Sequence, residues 1–200
     1  MNIGILVFDG VELLDMAGPF EVFTTAARVQ ARQQPAGTPA LFEVHLIAPA
    51  GPTVQARAGL RLHAPFGLHD HPPLDLALVP GGVVDAELAR PAVAAWIRQQ
   101  AGTVPLLASV CTGALLLVQA GVLDGLEATT HWEDLDALRT LRPAVRVREG
   151  VRWVDAGAVV TSAGISAGID MSLHLVQRLH GRDLAQRTAR QMDYDWRDTP

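Results

Sequence analysis

The sequence predicts an α/β domain whose mostly parallel sheet is covered by helices on both faces. Three observations carry this. Short apolar runs, such as the fully apolar Leu76–Val79 and the strand Leu106–Val110, alternate with longer helical stretches. Strands apolar on both faces belong inside a parallel sheet, because there both faces are covered. Turn residues follow these runs at Asp9-Gly10, Pro80-Gly81-Gly82, Cys111-Thr112-Gly113 and Ala163-Gly164, the strand ends at which such sheets hold ligands. Finally, 200 residues that are 49% hydrophobic and 18% charged suit one domain, residues 1–200, with its own core.

The elements follow in order. Asn2–Phe8 is a buried strand stopped by the Asp9-Gly10 turn. From Val11 the pattern favours helix, with Pro19 suited to a first turn and Phe20, Val22 and Phe23 facing inward. Residues 31–40 read as a surface loop, and Phe42–Ala48 as a second strand ended by Pro49-Ala50-Gly51-Pro52. Val54–Leu62 suggests two short strands around Ala58-Gly59. Leu76–Val79 is a strand, Pro91–Gln100 a helix with Pro at its start, Leu106–Val110 a strand and Thr112–Ala120 a helix. Trp132–Leu141 reads as helix, Arg146–Trp153 as a hairpin turned at Glu149-Gly150, and Ala158–Ser162 as the last buried strand. Met171–Leu179 and Asp183–Met192 are helices, and no internal repeat is present.

Composition excludes several chemistries. All 16 basic residues are Arg. Schiff-base, pyridoxal-anchoring and P-loop lysines are therefore absent. One Cys allows neither an internal disulfide nor a Cys-rich zinc cage. A net charge of −5 without an Arg run gives no footprint for nucleic acid. The uncharged stretch Val104–Leu123 is long enough to span a bilayer. Pro105, Ser109, Thr112, Gly113, Gln119 and Gly121 interrupt it, so it reads as a buried strand and helix. The N-terminus lacks a positively charged start and a cleavage site. The expectation is a soluble cytoplasmic protein.

Cys111 sits where a strand ends and a helix starts, the layout of a nucleophile elbow. A helix N-terminus there is expected to lower the thiol pKa and favour thiolate; the alternative is a buried Cys packing as a small hydrophobe. Gly81-Gly82 suits an oxyanion hole or a plain turn. Asp15, set among apolar neighbours, is either a helix cap or an acid with a raised pKa that moves protons. His131 is a base for the cysteine, a nearby hydrogen-bonding group or a structural residue. His69-Asp70-His71 has the spacing of a metal pair but lacks a third ligand, so no metal site is assigned.

Together these blocks resemble the DJ-1/PfpI superfamily. They run from Ile3–Gly10 through Leu14-Asp15, Gly18–Phe23, Val79–Gly82, Val110–Ala114 and Ala128–Trp132 to Ser162–Gly164 and Ala167–Asp170. The resemblance implies a flavodoxin-like three-layer sandwich related to class I glutamine amidotransferases, a homodimer and no cofactor. Where family proteases carry Glu and a His after the Cys, this chain has Asp15 and Thr112. Asp15 with Cys111-Thr112 resembles the isonitrile hydratase branch. The same blocks occur in the amidotransferase-like domain of AraC-type regulators, which carry an appended helix-turn-helix domain; this chain resembles the stand-alone form. The implied roles are nucleophile for Cys111, proton relay for Asp15 and water orientation for Thr112. Gly81, Gly82 and His131 are implied to support the substrate, a small molecule. The other activities implied are a thiol-based redox or small-molecule sensor and a glyoxalase.

Overall fold

The computed structural model describes residues 1–200. The strands are β1 (Asn2–Leu6), β2 (Glu43–Ile47), β3 (Thr53–Gln55), β4 (Arg61–His63), β5 (Leu76–Val79), β6 (Leu106–Val110), β7 (Glu127–Ala128), β8 (Arg146–Val147), β9 (Trp153–Asp155) and β10 (Val159–Ser162). The helices are α1 (Leu13–Ala31), α2 (Asp85–Leu88), α3 (Pro91–Thr103), α4 (Gly113–Gln119), α5 (Leu135–Leu141), α6 (Ala167–His180) and α7 (Arg182–Gln191). Six strands make the central sheet in the order β2-β1-β5-β6-β10-β9. The first five are parallel and β9 closes the edge antiparallel to β10.

Among the parallel strands the chain order is 2-1-3-4-5, the doubly wound flavodoxin pattern. Its switch point lies between β1 and β5, paired in register as Ile3↔Leu76 and Ile5↔Leu78. The central strands are apolar at nearly every position because both faces are covered: β5 and β6 are buried at every residue. Helices α1, α6 and α7 pack together, and α4 packs against α2, α3 and α5, giving two helical layers around the sheet. One core cluster of 53 buried residues runs through all three layers.

Three expectations change. Pro19 lies inside α1 rather than in its first turn. Lacking an N–H, it cannot bond the carbonyl four residues back, that of Asp15, so the start of α1 is held by other contacts. Arg146–Trp153 is not a hairpin. Its first end pairs with β7 in parallel and its second with β10, because each end finds an apolar partner distant in sequence. Trp132–Leu141 begins as a 3-10 turn at Trp132–Asp134 before α5 starts. Val104–Leu123 becomes β6 and α4, and no helix is long and apolar enough to cross a membrane.

Candidate active site

The carboxyl ends of β1, β5, β6 and β10 meet at one cleft of about 280 Å³. Cys111 lines it at the turn from β6 into α4, with φ 55°. A non-glycine residue held in the left-handed region is strained, and the surroundings must over-determine it. They do so from three sides. The Cys111 N–H donates to the Ser162 carbonyl at 3.1 Å. Its own carbonyl accepts from the Ala114 N–H at 3.2 Å and from the buried Thr130 hydroxyl at 2.8 Å. Two residues on, Gly113 lies against the Val79 and Pro80 carbonyls, where a Cβ has no room. The elbow is thereby clamped to the end of β5.

Asp15 reaches the same point from α1. The cap position of that helix is Glu12, so Asp15 does not cap it. Its carboxyl is fully buried; Oδ2 accepts the Gly81 N–H at 3.1 Å, while Oδ1 has no partner. Burial pushes Asp15 up to about 7, opposed by the Gly81 N–H and the neighbouring Cys111 thiol. Burial and the adjacent Asp15 carboxylate push the Cys111 thiol up to about 12, against the pull of the Thr112 N–H. The expectation of a thiolate favoured by the helix end is overturned. Desolvation and a like charge outweigh the few free N–H groups of a short helix. The resting pair is a thiol beside a carboxyl group that titrates near neutrality, and the two share their protons as a unit.

Thr112 and the glycines also take roles other than those expected. The Thr112 hydroxyl accepts from the Gly82 N–H at 2.9 Å and donates to the Gly82 carbonyl at 3.0 Å. It staples the Pro80–Gly82 turn to the elbow and does not stand free to orient water. The Gly81 and Gly82 N–H groups are engaged by Asp15 and Thr112, so they are not the open oxyanion donors expected. Glycine is required at 82, where φ is +136° and a Cβ would run into the Gly10 backbone. Thr112→Val removes both bonds to Gly82 without changing shape. It is expected to lower stability by about 1–3 kcal/mol, because two backbone groups lose their partners. Thr112→Ser keeps both bonds and loses one buried methyl, so it is expected to cost only about 0.8 kcal/mol. Urea unfolding midpoints at constant slope check both.

His131 lines the cleft with its ring against Gly164. Its Nδ1 accepts from the Glu133 N–H at 3.4 Å and lies 3.6 Å from both the Glu133 and Asp134 carboxylates. The structure thus brings Asp15, Gly81, Gly82, Cys111, Thr112 and His131 together, with Asp15 as the acid next to sulfur. Sequence reasoning missed the pinning role of Thr130 and the cleft positions of Glu12, Arg57, Asp85 and Asp134. The one available signal was the polar pair Thr129-Thr130, buried where an apolar strand would otherwise continue. The His69–His71 pair lies elsewhere. Trp96 Nε1 donates to His71 Nε2 at 2.9 Å, and His71 Nδ1 is 2.8 Å from the Pro72 carbonyl. Both ring nitrogens are therefore engaged, with the proton on Nδ1 because indole only donates.

The family profile for DJ-1/PfpI matches residues 1–178. The chain belongs to the DJ-1/PfpI family. Among its relatives, an isonitrile hydratase of Pseudomonas putida is 38% identical over 195 residues, covering 97% of this chain and 78% of that protein. The transcriptional regulator GbdR of Pseudomonas aeruginosa is 31% identical over 195 residues, but the match covers only 51% of that protein. A crystal structure of a ThiJ/PfpI family protein from Pseudomonas syringae superposes with a TM-score of 0.84 at 27% identity, over 97% of this chain and 75% of that one. The DJ-1/PfpI fold thus accounts for the elbow, the switch point and the three layers alike.

Proposed function

We propose that this chain is a cysteine-dependent hydratase that adds water to isonitriles, giving N-substituted formamides, and that it works as a homodimer. The observation that carries the reading is the buried Asp15 carboxyl beside the Cys111 thiol, poised to exchange protons near neutral pH. The isonitrile hydratase relative, matched along 97% of this chain, supports it.

The chemistry fits that pair. Sulfur bonds to the isonitrile carbon as the Asp15 carboxylate takes the thiol proton. Asp15 delivers that proton to the same carbon, giving an S-linked thioformimidate, R–N=CH–S. Water then adds to this carbon, and one water proton passes through Asp15 to nitrogen. The other returns to sulfur as the C–S bond breaks, releasing R–NH–CHO and the free thiol. In the first step negative charge builds on carbon, where a proton donor is needed more than an oxyanion hole. The engagement of the Gly81 and Gly82 amides suits this order of events.

A redox sensor needs an exposed thiol of low pKa. Cys111 is 7% exposed and pushed up to about 12, which disfavours that role. A small-molecule sensor is favoured by one observation, the match of this whole domain to half of a transcriptional regulator. Parallel assays with alkyl isonitriles and α-oxoaldehydes separate the readings. Formamide production with little aldehyde consumption is the expected result. Preferred turnover of methylglyoxal would make the chain a glyoxalase instead, and binding of isonitriles without turnover would leave a sensor.

A further inference from the structure

The rim of the cleft carries four carboxylates, Glu12, Asp85, Glu133 and Asp134, against one guanidinium, Arg57. They converge from the start of α1, the first turn of α2 and the 3-10 turn before α5. Arg57 Nη1 is 3.3 Å from Glu12 Oε2, so the one cation is already partnered. Behind Cys111, which lines the cleft, the neighbouring Asp15 keeps Oδ1 fully buried and without a partner in the protein, a free acceptor next to the reacting thiol.

We infer that this rim selects the substrate by charge: the cleft takes cationic or neutral molecules, such as an isonitrile bearing an ammonium group, and rejects anionic ones. Exposed charges in open water are screened and weak, but a concave site with low-dielectric walls focuses their field. That field reaches the reacting groups. Asp134 contributes to pushing the Cys111 thiol up, and Glu12 contributes to pushing Asp15 up. Val83 and Ile165 supply the apolar part of the lining, which suits an alkyl spacer between the ammonium and the reacting carbon. The discrimination rests on the cleft itself; only the identity of the substrate as an isonitrile rests on the function proposed above.

Because Cys111 is the only cysteine, thiol-directed reagents report on this cleft alone. Three methanethiosulfonates differ in charge: the ethyltrimethylammonium, the methyl and the sulfonatoethyl compounds. In each, sulfur attacks the sulfenyl sulfur and methanesulfinate leaves, so no turnover is needed. After division by rates on 2-mercaptoethanol, a thiol with no charged substituent, the cationic reagent is expected to label Cys111 about tenfold faster than the anionic one at low salt. The ratio is expected to approach one in about 0.5 M salt. Combined Asp85→Asn, Glu133→Gln and Asp134→Asn should reduce it to within about twofold of unity, and Arg57→Gln should increase it. Equal labelling, faster labelling by the anion, or a ratio unmoved by both variants would overturn the inference. Kinetics with 3-dimethylaminopropyl isocyanide, cyclohexyl isocyanide and isocyanoacetate extend the test to substrate. Correct ordering of the reagents without hydration of any isonitrile sinks the hydratase reading and leaves the charge filter standing; hydration of all three at equal efficiency does the reverse.

Discussion

Asp15→Asn is expected to be more stable than the wild type at pH 8 and nearly inactive. Asp15 is fully buried and titrates near 7 in the folded protein, against 3.8 for an ordinary aspartate. Between these values the folded state holds a proton that the unfolded state has released. The stability this contributes is complete below the unfolded pKa and is lost as pH rises through the folded one. The full shift corresponds to about 4 kcal/mol at alkaline pH. Coupling to Cys111 and local relaxation reduce this, so about 1–3 kcal/mol is expected. Asparagine keeps an oxygen for the Gly81 N–H and never carries the buried charge. The melting temperature of the variant should therefore exceed that of the wild type by several degrees at pH 8, at about 2–4 °C per kcal/mol. The advantage should shrink to about a third of that by pH 5 and vanish only below 3.8, where the unfolded chain also holds the proton. Isonitrile turnover should fall at least about a thousandfold, within the range a proton-transfer group contributes. In the wild type, kcat/KM should rise with pH through a midpoint near 7 as the carboxylate forms. Melting curves at the two pH values, with a pH–rate profile, check each part. Equal stability at pH 8 would mean that Asp15 is not the destabilising buried charge described here.

This trade between stability and chemistry was half legible in the sequence. The strands were, because β5 is apolar at every position and β6 at all but Ser109, and only a covered sheet accommodates that. So was the elbow, since a strand, two residues and a glycine-led helix follow in sequence. The order of strands was not legible from pattern alone, because nothing local tells β1 that its neighbours are β2 and β5. For the same reason the stretch 146–153 resembled a hairpin, although its two ends belong to different sheets. The site shows the same division. Cys111, Asp15, Thr112 and Gly81-Gly82 stood out by residue type and turn position. Which amide faces which oxygen is a three-dimensional fact, and Thr112 proved to be a staple. Local reasoning also erred on charge. The few N–H groups at the start of α4 are visible in sequence; the burial of the thiol and the arrival of Asp15 from α1 are not, and they dominate. The acidic rim is invisible for a related reason: the adjacent pair Glu133-Asp134 shows in sequence, but its meeting with Glu12 and Asp85 from two distant segments does not.

Cys111→Ala is expected to lower isonitrile turnover at least about a thousandfold with little loss of stability, because the side chain forms the covalent bond and packs as a small group. The left-handed backbone of residue 111 remains strained with Ala. Cys111→Gly should therefore be as inactive yet slightly more stable, by up to about 1 kcal/mol, unless the added freedom of the unfolded chain cancels the gain. The more searching measurement concerns the proton. Thiolate absorbance at 240 nm should show no step between pH 5 and 9 in the wild type, because burial and the Asp15 charge hold the thiol near 12. In Asp15→Asn the carboxylate is gone, and the thiol should titrate at lower pH while remaining above an exposed cysteine, since burial persists. That variant would then have a more ionised sulfur and less activity. The combination separates two mechanisms. If a preformed thiolate were the working nucleophile, removing Asp15 would raise reactivity toward isonitriles in step with ionisation. If sulfur gives up its proton only as it attacks, and that proton must travel to the substrate carbon, activity must fall with the carboxyl group even as the thiol becomes easier to ionise. The second outcome is expected, because the structure sets a carboxyl of near-neutral pKa against a thiol that does not ionise alone.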